Sequence, residues 1–74
     1  MMNEENQEVI REQLSELDAQ LDEIVDSMIE RYGKFIDLQD IQGKDYQDKR
    51  YLYSRYQNIL DEKRRLNTQL YLGL

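Results

Sequence analysis

Two ladders of carboxylates run through the first half of the chain: Glu4, Glu8, Glu12 and Glu16, then Asp18, Asp22, Asp26 and Glu30. Every step is four residues, so on a helix each ladder becomes a row along one face. Carboxylates in such numbers suggest three chemistries: general acid–base catalysis, divalent-cation binding, or mimicry of a phosphate backbone. Catalysis needs carboxyl groups whose surroundings push their pKa values apart, usually inside a pocket. A solvated row on a helix does not do this. The chain has no His and no Cys, which removes the usual zinc sites. It also contains no EF-hand loop, no Glu-x-x-His motif and no Gly-rich phosphate loop. No catalytic, metal-ligating or cofactor-binding residue is therefore assigned, and no small-molecule substrate is expected. What the ladders do predict is a cost. Six like-charge steps of ~0.2–0.5 kcal/mol each disfavour an isolated first helix by roughly 1–3 kcal/mol.

A compensating charge lies in the second half. Residues 1–40 hold twelve acids and three bases, whereas residues 41–74 hold four acids and seven bases. The net charge of −6 opposes direct nucleic-acid binding, whose affinity comes largely from neutralising phosphates, and opposes an anionic membrane surface. No apolar run approaches the ~18 residues of a membrane span, and Met-Met-Asn-Glu-Glu-Asn-Gln-Glu is unlike a signal peptide. The expected location is cytoplasmic. At 74 residues the chain is a single domain at most. Domains this small bury only about 60% of their unfolded surface. Without disulfides or zinc, self-association is the remaining means of support.

The elements that must carry these charges are two long helices. Pro is absent and Gly occurs only at 33, 43 and 73. Leu14, Leu17, Leu21, Ile24, Met28 and Phe35 recur at helical spacing in the first half, and Leu52, Tyr56, Ile59, Leu66 and Leu70 in the second. Between them, Gln42-Gly43-Lys44-Asp45 marks a turn. The pattern predicts an all-α fold: an antiparallel, coiled-coil-like hairpin with helix 1 near 4–39, a turn near 40–44 and helix 2 near 45–72. Gly33 is expected inside helix 1, as a kink or a place of close helix packing. Asn3 or Asn6 is the candidate cap of helix 1, and Asp45 that of helix 2. A turn near 41–42 sets Leu17 against Leu66 and Ile24 against Ile59. It also brings Met28 near Tyr56, Leu14 near Leu70, and Lys63, Arg64 and Arg65 opposite Asp18 and Asp22.

One seam does not absorb all the apolar side chains. Val25, Ile29, Tyr32 and Ile36 form a second stripe, rotated ~100° from the first. Tyr53 and Leu60 lie similarly off the seam of helix 2, with Tyr51 on its other flank. Five of the six tyrosines, 46, 51, 53, 56 and 71, fall in helix 2, and Tyr is a residue of half-exposed interfaces. The partner-binding set expected from this is Val25, Ile29, Tyr32, Ile36, Tyr46, Tyr51, Tyr53 and Leu60. Burying four or five such side chains contributes roughly 6–12 kcal/mol before association costs. A homodimer closing into a four-helix bundle, or a foreign protein partner, would supply the cover. The apolar end Leu70-Tyr71-Leu72-Gly73-Leu74 is expected to lie near Val9 and Ile10 and seal the open end of the hairpin.

The stretch Arg11-Glu12-Gln13-Leu14-Ser15-Glu16-Leu17-Asp18-Ala19-Gln20-Leu21 resembles the first helix of the all-helical chorismate mutases. The resemblance implies a role for Arg11 in reading a substrate carboxylate. It covers eleven residues, a string that coiled coils also produce. Arg31 falls nearly a turn late for the family's spacing, and there is no third helix to complete the site.

The expected function is that of a small non-enzymatic interaction module: an adaptor, chaperone or inhibitor docking an apolar helical face on a partner or on itself. In size and composition it is analogous to phage-encoded regulators and bacterial secretion co-chaperones. Asp18, Asp22, Asp26 and Glu30 would steer encounter toward basic surfaces. The alternatives are an acidic nucleic-acid mimic that inhibits a DNA- or RNA-binding protein, and the chorismate-mutase-like enzyme.

Overall fold

Both halves of the chain are helical in the computed structural model, which describes residues 4–73 and the side chains of residues 6–73. Helix α1 spans Glu4–Tyr32 and helix α2 spans Tyr46–Leu72. They pack as an antiparallel hairpin within an envelope of 50 × 18 × 14 Å. There are no strands among the described residues. A 27- or 29-residue helix rises roughly 40 Å, so the helices account for most of the 50 Å length.

Helix 1 ends seven residues before the expected position, and Gly33 is the reason. Its φ of 73° is left-handed, and its N–H donates to the Ile29 carbonyl at 2.7 Å. This is the glycine stop that satisfies a helix's last carbonyls, and only glycine enters that region without a Cβ penalty. Nothing lies within 4 Å of where a Gly33 Cβ would stand, so close helix packing is not what requires the residue.

The expected short turn is instead a structured connector over 33–45. A one-turn 3-10 helix, Leu38–Asp40, is held by a capping box. The Gln39 N–H donates to Asp37 Oδ1 at 2.8 Å and the Asp37 N–H to Asp40 Oδ2 at 3.0 Å. Lys34 Nζ reaches Asp40 Oδ1 at 2.6 Å. Freed from the helix, Ile36 turns inward to 1% exposure beside the fully buried Met28, and its N–H points at Met28 Sδ at 3.4 Å. Phe35, assigned to the main seam by its spacing, is 41% exposed and lies edge-on to Tyr56 with ring centroids 4.9 Å apart. Asp45 occupies the N-cap position of α2, but its carboxylate makes no capping bond; the Tyr46 N–H bonds the Gly43 carbonyl at 3.3 Å. Asn6 lies within the first turn of α1 rather than before it. Asn3, the other candidate cap, is outside the described residues.

The core is a single file of Ile10, Leu17, Ile24 and Met28 from α1, Ile36 from the connector, and Leu52, Ile59 and Leu66 from α2. Leu14, Leu21, Tyr32, Ile41, Tyr56 and Leu70 pack against it from the margins. The expected facing of Leu17 and Leu66 is seen at the open end, where both line one furrow. Nearer the bend, Ile24 lines a furrow with Leu52, two turns closer to the connector than Ile59. Of the apolar end, Leu70 seals against the core, whereas Tyr71 is 89% and Leu72 57% exposed. Leu74 is outside the described residues.

Because Ile36 belongs to the core, Ile36→Ala should destabilise the folded chain by about 2–4 kcal/mol, as a buried large-to-small change does. Urea denaturation at several protein concentrations checks this. A loss confined to the concentration-dependent part would return Ile36 to an interface.

Candidate interaction surface

The helix period decides which side chains share a side of the hairpin. Measured from the core line of α1, Val25 lies about 60° and Ile29 about 100° around the helix. Measured from Leu52 and Ile59 on α2, Tyr53 lies about 100° and Leu60 about 80–100° around in the same sense. In an antiparallel pair the same sense of rotation leads to the same broad side. Val25, Ile29, Tyr53 and Leu60 therefore line one face, with Tyr71 further along it. Ile29 is 51% exposed, while Val25, Tyr53 and Leu60 are half-buried at its inner edge. Leu60 and Tyr71 frame a shallow groove with Lys63, Arg64, Asn67 and Thr68. The opposite face is mixed: Gln13, Glu16, Gln20, Glu23 and Ser27 of α1 face Tyr51, Arg55 and Glu62 of α2 across two furrows, with Tyr51 57% and Val9 51% exposed.

The other expected contact residues are distributed differently. Ile36 is in the core, because the helix that would have presented it ends at Gly33. Tyr51 lies on the opposite face, with the Arg55 guanidinium 5.9 Å from its ring centroid. Tyr46 is 42% exposed at the closed end, its hydroxyl accepting from Arg50 at 3.3 Å. Tyr32 is half-buried and committed to a contact within the chain.

That contact centres on Asp48, which the sequence pattern had not singled out. The Tyr32 hydroxyl donates to Asp48 Oδ2 at 2.5 Å, and Arg31 Nη1 donates to Asp48 Oδ1 at 2.7 Å. Lys49 Nζ sits 5.2 Å from the Tyr32 ring centroid. One carboxylate thus bridges the last turn of α1 and the first turn of α2. The hydrogen bond to Asp48, then partial desolvation, pushes the Tyr32 phenol up to about 12. The same bond, followed by that from Arg31, holds Asp48 below the usual carboxylate range. In the connector, Lys34 is raised and Asp40 lowered by their mutual bond.

Along the acidic row, Asp18 pairs with Lys63 across the helices, as expected of this register. Arg64 and Arg65 do not reach α1. They turn back along α2 to Asp61 at 3.8 Å and Glu62 at 3.3 Å, spacings of three residues. Asp22, Asp26 and Glu30 are exposed. Their ~6 Å rise per step strings them out, and no three acids gather into a metal-holding group among the described residues. Arg11 is exposed on α1. No helix of the described residues is long and apolar enough to cross a membrane.

The signs of the pKa shifts set a pH window. Tyr32, raised in the folded chain, contributes stability that is complete below about pH 10 and lost as pH climbs toward about 12. Asp48, lowered, contributes stability present above the ordinary carboxylate pKa and lost as pH falls through its folded value. Tyr32→Phe should therefore flatten the alkaline limb of the melting-temperature profile relative to the unmodified chain. Superposable profiles above pH 10 would show that the Tyr32–Asp48 bond is not formed.

No protein-family model matches the chain, and neither a curated protein nor a solved structure is significantly similar to it.

Proposed function

We propose that the hairpin is a non-enzymatic protein–protein interaction module of the cytoplasm, an adaptor, chaperone or inhibitor that docks its apolar face on another protein surface. The observation that carries this is the row of apolar side chains that the core leaves partly uncovered on one side of the hairpin, Val25, Ile29, Tyr53 and Leu60, continued by the exposed Tyr71. The docking side chains are already partly covered, so completing their burial is worth roughly 3–6 kcal/mol before association costs. That is too little for tight binding by apolar contact alone, and the flanking charges then contribute to both affinity and choice of partner. Dimerisation into a four-helix bundle is the simplest form of such docking, because it covers the same face on both copies.

A second reading has one observation in its favour. Asp22, Asp26 and Glu30 stand exposed in a row, whereas Asp18 is already paired with Lys63. Such a row suits a basic groove of a nucleic-acid-binding protein.

Capture from the native host with the unmodified chain and with Ile29→Asp as baits separates the two. Apolar docking gives a partner that persists as salt is raised and is lost with Ile29→Asp. A nucleic-acid mimic gives a partner released by salt, retained by Ile29→Asp and lost when Asp22 and Asp26 become Asn. A partner bound equally well by Ile29→Asp would overturn the docking reading.

A further inference from the structure

The apolar face is flanked by charges of opposite sign on its two helices. Helix α1 carries ten acids and two bases, and α2 carries three acids and six bases. On the docking side itself, Asp18 and Asp22 border Val25 and Ile29, with Arg11 farther along the same row toward the open end, while Arg64 borders Leu60. Such a face is complementary to itself, provided that it meets its copy in one particular way.

We infer that a second copy of this chain covers the face, related by a twofold axis parallel to the helices, so that α1 of each copy lies antiparallel on α2 of the other. The inference rests on the docking reading above and specifies its occupant. Two twofold arrangements can lay this face on itself. An axis across the helices stacks α1 on α1, setting one acidic helix against another. An axis along the helices stacks α1 on α2, setting acids against bases. Like charges brought face to face are costly, so the second arrangement is selected.

The height of each residue gives the contacts. An axis along the helices keeps every residue at its own level, so residues that are level within one copy are level across the interface. Lys63 is level with Asp18, with which it pairs. Arg64 of the second copy therefore arrives opposite Asp18 and Asp22. Within its own chain Arg64 is 78% exposed and 3.8 Å from Asp61. Ile24 and Ser27 share a furrow with Leu52 and Arg55, which sets Tyr53 of the second copy against Val25 and Ile29. The available area is sufficient. A face of 50 × 18 Å is roughly 900 Å² in outline, against the ~800 Å² each partner gives to a standard interface.

The absence of cysteine makes the arrangement easy to test. Ile29→Cys and Tyr53→Cys chains are oxidised separately and as an equimolar mixture, with circular dichroism as the check on helix content and sedimentation as the check on association. The expected result is a disulfide-linked dimer that forms in the mixture and not in either chain alone. Arg64→Glu, at an exposed position, should weaken dimerisation about tenfold. A dimer that crosslinks within the Ile29→Cys sample, or that tightens with Arg64→Glu, overturns the arrangement while keeping the second copy as occupant. A chain that sediments as a monomer at every concentration overturns the second copy itself. The docking reading would then stand or fall on the Ile29→Asp capture experiment alone.

Discussion

Two helices share one seam. Each can turn a stripe of side chains toward its partner, and whatever lies more than about 60° from that stripe stays at the edge or in solvent. The buried set is accordingly a single file in which alternate turns of α1 and α2 meet, and no second layer exists to receive Val25, Ile29, Tyr53 or Leu60. Everything distinctive about the surface follows from this. The hairpin is long enough to present a continuous face and too thin to hide it.

The connector relieves the constraint at one end. Gly33 stops α1 early, so Phe35 and Ile36 leave the helical path and fold back over the closed end. Ile36 caps Met28, Phe35 shields Tyr56, and Asp48 ties the two helix termini through Tyr32 and Arg31. The closed end thus has a three-sided core, whereas the open end relies on Ile10, Leu70 and Leu66 from two helices alone. Partial exposure of Val9, Tyr71 and Leu72 there is the corresponding deficit.

Charge is distributed so that closing the hairpin offsets part of its cost. The acid ladder of α1 disfavours that helix in isolation, and the basic segment of α2 offsets it when the hairpin closes, with Lys63 on Asp18 as the direct contact. Exposed pairs such as Arg65–Glu62 add little stability.

Helical periodicity, the lack of proline and the opposed charges of the halves determined the two helices, their antiparallel pairing, the Leu17–Leu66 level and the Lys63–Asp18 contact. These are local or additive properties, and spacing carries them. Four of the eight residues expected at an interface, Val25, Ile29, Tyr53 and Leu60, come together on one face for the same reason. Only the tertiary structure decided the fate of residues 33–48. A glycine at 33 permits either a bend or a stop, and which of the two forms depends on the contacts of the segment that follows, where Ile36 packs on Met28 in the core shared with α2. The same dependence removed Ile36 from the surface, moved Phe35 to the margin and made Asp48 the bridge between helices. A contact that must be completed by a distant segment leaves no period in the chain from which to read it.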